Sequence, residues 1–147
     1  MAQTPIAYID IRVFSHATED ESKVTEAVKK VLAVDYIEEI IFEKHNLHGH
    51  YGNPITFFET RIKNKEALQA IVENLASHLN TLDKENLRSN IDAYTEEGSL
   101  YIRLDKQAAF QGEFKLHPID PIHVRLRFKK QKTEDITKIC QELGIIP

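Results

Sequence analysis

One cysteine, one methionine and no tryptophan occur among 147 residues, and glycine and proline number only five each. A lone cysteine cannot close an internal disulfide, and it excludes thiolate clusters for zinc or iron–sulfur. Five scattered glycines form no phosphate-binding loop, and no serine stands in a Gly-x-Ser-x-Gly elbow. No apolar run approaches the ~20 residues that cross a bilayer, so no membrane partner is expected. The opening Met1-Ala2-Gln3-Thr4-Pro5 lacks the basic and apolar regions of a secretory leader, and a cytoplasmic location is expected. A net charge of −4 and a pI near 6.0 exclude the broadly positive field of an indiscriminate nucleic-acid binder.

What is present describes one folded unit. Hydrophobic residues at 41% and charged residues at 29% are globular proportions, and a chain of this length supports a single core, read as one domain over 1–147. The charge is unevenly placed. Residues 1–98 carry 10 basic and 17 acidic side chains, whereas residues 99–132 carry 8 basic and 3 acidic ones. A local basic face on an acidic body is therefore possible, as is a merely solvated strand pair.

Alternation and helical spacing place the elements. Ile9, Ile11 and Val13 alternate with Tyr8, Asp10, Arg12 and Phe14, which predicts a strand over Ile6–Phe14. Thr18-Glu19-Asp20-Glu21 reads as a capping box opening a helix over 19–32, with Val24, Val28, Val31 and Leu32 on its apolar stripe. A strand is expected over Tyr36–Lys44, then a loop over Asn46–Pro54. In the strand Ile55–Ile62, Phe58, Thr60 and Ile62 oppose Phe57, Glu59, Arg61 and Lys63. Asn64 caps a helix over 65–79, and a shorter helix follows around 83–91. Leu100, Ile102 and Leu104 oppose Tyr101, Arg103 and Asp105 in the next strand. Residues 106–117 read as irregular. Ile122, Val124, Leu126 and Phe128 alternate with His123, Arg125, Arg127 and Lys129, and Thr133 is the expected cap of a last helix ending at Gly144.

This order predicts an α+β fold: a largely antiparallel sheet of about five strands, helices packed on one face and the other face open. The open face would collect Tyr8, Asp10, Arg12, Phe57, Arg61, Lys63, Tyr101, Arg103, His123, Arg125 and Arg127. Rings interleaved with arginines suit single-stranded RNA, with bases on rings and guanidinium groups on phosphates. Two other readings stay open: a solvated face whose acids pair with the arginines, and a homodimer contact. His45, His48 and His50 have metal-ligand spacing, but surface turn residues are the expected reading, with no metal and no cofactor. Cys140 falls on the buried stripe of the last helix as a core thiol. No catalytic constellation is found, so no enzyme is expected.

Three runs then carry a family resemblance: Ile9-Asp10-Ile11-Arg12 with His16-Ala17-Thr18-Glu19-Asp20; Gly49-His50-Tyr51-Gly52-Asn53-Pro54-Ile55; and Tyr101-Ile102-Arg103-Leu104-Asp105-Lys106-Gln107-Ala108-Ala109 with Gly112. Together they resemble archaeal exosome-associated RNA-binding proteins over nearly the whole chain. His48 departs from the acid expected before Gly49. The resemblance implies a fold similar to the ribosomal large-subunit protein that contacts the small ribosomal RNA. It also implies no catalysis, RNA and exosome subunits as partners, and a role in RNA processing. It makes Lys106 and Gln107 donors to phosphate or base edges, against the alternative that Asp105 caps a short helical turn through Ala108 and Ala109. It gives His50 and Tyr51 a stacking role, with Gly52 and Asn53 forming the turn. The expected RNA-contacting set is Arg12, His50, Tyr51, Arg61, Tyr101, Arg103, Lys106, Gln107, Arg125 and Arg127.

Overall fold

The computed structural model describes residues 5–32, 43–49 and 52–147. Six strands, β1 (Ile6–His16), β2 (Glu43–His48), β3 (Pro54–Ile62), β4 (Thr95–Glu96), β5 (Ser99–Leu104) and β6 (Ile122–Phe128), form one sheet in the order β2-β3-β1-β6-β5-β4. Every neighbouring pair is antiparallel. The helices are α1 (Glu21–Val31), α2 (Lys65–His78), α3 (Thr81–Ser89), α4 (Ile91–Tyr94), α5 (Lys106–Phe110) and α6 (Thr133–Leu143). The fold is α+β with an open sheet face, as the alternation predicts.

The core joins the predicted strand faces to the helix stripes. Ile9, Ile11 and Val13 of β1, Phe58 and Ile62 of β3, Leu100, Ile102 and Leu104 of β5 and Ile122 to Phe128 at every second position of β6 are all buried. Val24, Val28 and Val31 of α1 and Leu68, Ile71 and Leu75 of α2 close over them. Ile6 and Ile9 are three apart yet both buried, because the β1–β6 register shifts between Ile6 and Tyr8 and the extra residue restores the facing. Asn64 caps α2 by accepting from the Ala67 amide. Gly144 closes α6 at φ 81, where Ile145 and Ile146 turn back into the core.

Several local expectations are corrected. Asp20 caps α1, accepting from the Ser22 amide at 3.0 Å. Glu21 reaches Lys44 at 2.8 Å rather than returning to Thr18, so the predicted capping box does not form. Lys132 precedes α6 without a side-chain cap, and Thr133 is already helical. The stretch expected to be irregular contains α5, which buries Ala108 and Ala109. Residues 46–48, expected in a loop, continue β2. β2 is exposed throughout and has no apolar alternation; pairing with β3 makes it a strand. Most of the expected strand Tyr36–Lys44 lies outside the described residues, with Glu43 and Lys44 belonging to β2.

Candidate nucleic-acid interface

Antiparallel register converts the sequence alternation into rows across the open face, since directly paired residues point the same way. One row reads Glu43, Glu59, Arg12, His123, Arg103. The next reads Arg61, Asp10, Arg125, Tyr101, and a third runs from Tyr8 through Arg127 to Ser99 and Glu96. Six predicted site residues therefore share one surface: Arg12, Arg61, Tyr101, Arg103, Arg125 and Arg127.

Their partners divide them. Arg61 donates from Nε to Asp10 at 2.8 Å and from Nη2 at 3.1 Å, a two-pronged pair over a carboxylate that is almost wholly buried. These bonds, ahead of all other causes, raise the Arg61 pKa further. The Arg61 guanidinium also lies 4.1 Å from the Tyr8 ring centroid. Arg12 meets Glu59 at 3.6 Å. Across the midline, among the described residues, Arg125 and Arg127 have partners other than carboxylates. Arg125 Nε donates to the Ser99 hydroxyl at 2.9 Å, and its guanidinium lies 5.9 Å from Tyr8 and 5.8 Å from Tyr101. Arg127 donates to the Glu97 carbonyl. Among the described residues, Arg103, Arg125 and Arg127 form no ion pair. Desolvation, followed by the nearby charges of Arg103 and Arg12, holds His123 below the ordinary histidine value of 6.5.

The turn that feeds β5 positions Arg127. Glu97 and Gly98 both have positive φ, at 47° and 87°, between the paired Glu96 and Ser99, which is a two-residue hairpin of the type that favours glycine. A side chain at Gly98 would begin 2.6 Å from Arg127 Nη1 and 3.2 Å from the Lys130 carbonyl. Bare backbone there lets the guanidinium lie against the turn.

Lys106 and Gln107 are not brought to this surface. They begin α5 and line a depression with Glu19, Asp20 and Lys23. The Lys106 ammonium, nearly buried, donates to the Phe14 carbonyl at 2.6 Å, Asp120 at 2.8 Å and Glu19 at 3.1 Å. It joins the His16–Asp20 run to the Leu104–Ala109 run, tying the end of β1 to the start of α1. The alternative of a helical turn after Asp105 is thus the one observed, although Asp105 makes no side-chain cap bond. His50 and Tyr51 lie outside the described residues.

Among the described residues, two groups of side chains have metal-ligand chemistry. His45 and His48 are three apart on β2 and face opposite sides, so the spacing read from the sequence does not converge there. The donor atoms of Glu43, His45 and Glu59 instead lie within 4.8 Å of one another. Those of His16, Glu19 and Asp120 do the same, but the Lys106 ammonium already holds the cation position beside Glu19 and Asp120. Cys140 is fully buried, and desolvation pushes its thiol up to about 12, so it is a core residue as expected.

Residues that the sequence left out of the site include Tyr8, which two arginines approach; His123; and Phe14 with Phe57, whose rings stack. Alternation places Tyr8, Phe57 and His123 on the open face without giving them a contact role, and leaves Phe14 out of that set although it shares the outward side of β1.

An open antiparallel sheet, with helices behind it and arginines interleaved with rings in front, presents the kind of surface that meets single-stranded nucleic acid in binding proteins. A family model described as RNA binding matches residues 8–129, which include every row of this face, and the chain belongs to that RNA-binding family. It is 36% identical to the RNA-binding protein PAB1135 of Pyrococcus abyssi, over 91% of this chain and 90% of that one. Among solved structures, AF2318 of Archaeoglobus fulgidus, a DUF54 protein, is 31% identical with a TM-score of 0.77, covering 94% of this chain and 99% of that one. Mth689 of Methanothermobacter thermautotrophicus, also a DUF54 protein, is 28% identical with a TM-score of 0.70, covering 94% and 97%.

Proposed function

We propose that this protein binds RNA, without catalysing a reaction on it, through the β5–β6 half of its open face. The observation that carries this reading is that Arg103, Arg125 and Arg127 share a face with Tyr8 and Tyr101 and, among the described residues, pair with no carboxylate. An exposed cation with an acid partner loses little by staying in water, whereas an unpaired one gains most from a phosphate. Family membership and the name of the Pyrococcus abyssi relative support RNA as the polyanion. The resemblance of the His-Tyr-Gly-Asn-Pro and Leu-Asp-Lys-Gln-Ala-Ala runs to exosome-associated proteins extends the proposal to cytoplasmic RNA processing alongside exosome subunits.

Three phosphate contacts on single-stranded RNA give a slope of log K against log[salt] of about −2, an affinity loss of roughly 20-fold between 50 and 200 mM salt. Fluorescence anisotropy across that range is the test. A flat salt response overturns the reading. Self-association through the same face is the competing function, favoured by its Tyr8, Tyr101 and Arg125 cluster, since tyrosine and arginine are also enriched at subunit contacts. Sedimentation velocity separates the two, since a homodimer that RNA does not dissociate would have this face buried.

A further inference from the structure

Phe14 of β1 stands opposite Phe57 of β3, with ring centroids 4.8 Å apart and planes 30° from parallel. His45 of β2, in register with Phe57, stacks on it at 5.9 Å and 28°. Three rings thus form a ladder across three strands of the open face. The ladder stops at Phe14 because β1 outruns β6: their pairing ends at Arg12 opposite His123, so no β6 residue is paired beside Phe14. Phe14 remains 37% exposed. Arg12 precedes it on the same face, and Arg103 lies beyond His123 in the adjoining row. A cross-strand aromatic pair stabilises a sheet, which accounts for the Phe14–Phe57 contact. It does not account for an exposed outer ring beside the end of the row that carries Arg12, His123 and Arg103.

We propose that Phe14 is the stacking platform for an unpaired nucleobase, which continues the Phe14–Phe57–His45 ladder by one more member, so that the ligand is single-stranded RNA. The inference rests on the RNA-binding reading of the neighbouring arginine rows and names the form of RNA they take. Bases in a duplex stack on one another and offer no free face, whereas an unpaired base can lie on a phenylalanine. The cations and the ring divide the work: Arg103 and its neighbours meet phosphate, and Phe14 meets the base. His123 stands between Arg12 and Arg103 in the row next to the ring. A protein partner would cover the ring equally well, but the unpaired Arg103 favours a polyanion.

The test compares a single-stranded RNA 12-mer with a blunt duplex of the same sequence, for the wild type and for Phe14→Ala and Phe14→Trp. Phe14→Ala is expected to lose about tenfold or more on the single strand, with an unchanged salt slope and less than about twofold loss on the duplex. Phe14→Trp retains affinity, and its indole emission is quenched by the single strand. Equal losses on both RNAs, no loss at all, or an unquenched indole overturns the proposal; the indole result decides even if Phe14→Ala fails to fold. Conversion of a dimer to a monomer by Phe14→Ala also overturns it, by giving the ladder to a second copy. If Arg125→Ala/Arg127→Ala abolishes binding while Phe14→Ala does not, the ladder falls and the RNA reading stands. A wild type that binds neither RNA removes both.

Discussion

Arg61 and Arg125 flank Asp10 in one row of the sheet, one strand to either side, and their fates differ. Both Asp10 oxygens accept from Arg61, which lies over Tyr8 as it does so. Arg125, equally near in register, turns to a serine hydroxyl and two tyrosine rings. The same division holds along the adjoining row, where Arg12 meets Glu59 and Arg103, among the described residues, meets no acid. The β1–β3 half is therefore a compensated surface and the β5–β6 half an uncompensated one. An arginine count, two against three, barely separates the halves. Their capacity for phosphate differs, because a phosphate arriving at Arg61 must compete with a carboxylate already held at both prongs.

Lys106 is the extreme of compensation, and it should show the largest effect. Lys106→Met leaves Glu19 and Asp120 with only the His16 ring beside them, and a loss of about 2–3 kcal/mol in urea unfolding is expected. Near-wild-type stability in that variant would contradict the network. Next comes a direct contrast of the halves. Arg125→Ala with Arg127→Ala should flatten the RNA salt slope from about −2 to about −0.7, whereas Arg12→Ala with Arg61→Ala should leave it within error of wild type. Equal changes in the two doubles would erase the distinction.

Asp10→Asn converts one half toward the other. Removing the buried charge weakens the two-pronged bond and should cost about 1–2 kcal/mol of stability. It also frees Arg61, so the salt slope should steepen by about 0.7. Lost stability with an unchanged slope would mean that Arg61 lies outside the RNA path. The smallest effect is the pH response of His123. Its folded pKa is depressed, so the unfolded chain takes up the proton first as pH falls below 6.5. Stability contributed by the neutral ring is thus present above pH 6.5 and is lost as pH drops toward the folded value. Thermal melts between pH 7.5 and 5 should show a shallower decline in His123→Gln than in the wild type; parallel declines would rule out this histidine as a source.

The elements that the sequence revealed are those whose burial repeats along a single segment. β6 alternates throughout; β1 from Ile9, β3 from Phe58 and β5 from Leu100 carry their apolar residues at every second position, and α1 and α2 carry one apolar stripe each, since a strand or helix facing a core shows its period in its own residues. That period also placed Arg12, Arg61, Tyr101, Arg103, Arg125 and Arg127 on one surface. β2 escaped notice because an edge strand exposed on all sides has no period to show. The fate of Lys106 was equally invisible: its acids lie 87 and 14 residues away, and only the fold brings them within 3.1 Å. Composition and alternation by themselves determined an α+β domain with a basic, ring-bearing face. Tertiary structure alone decided which of those cations are held by carboxylates, because ion pairing is set by strand register and distance through space, and neither is written in the local order of residues.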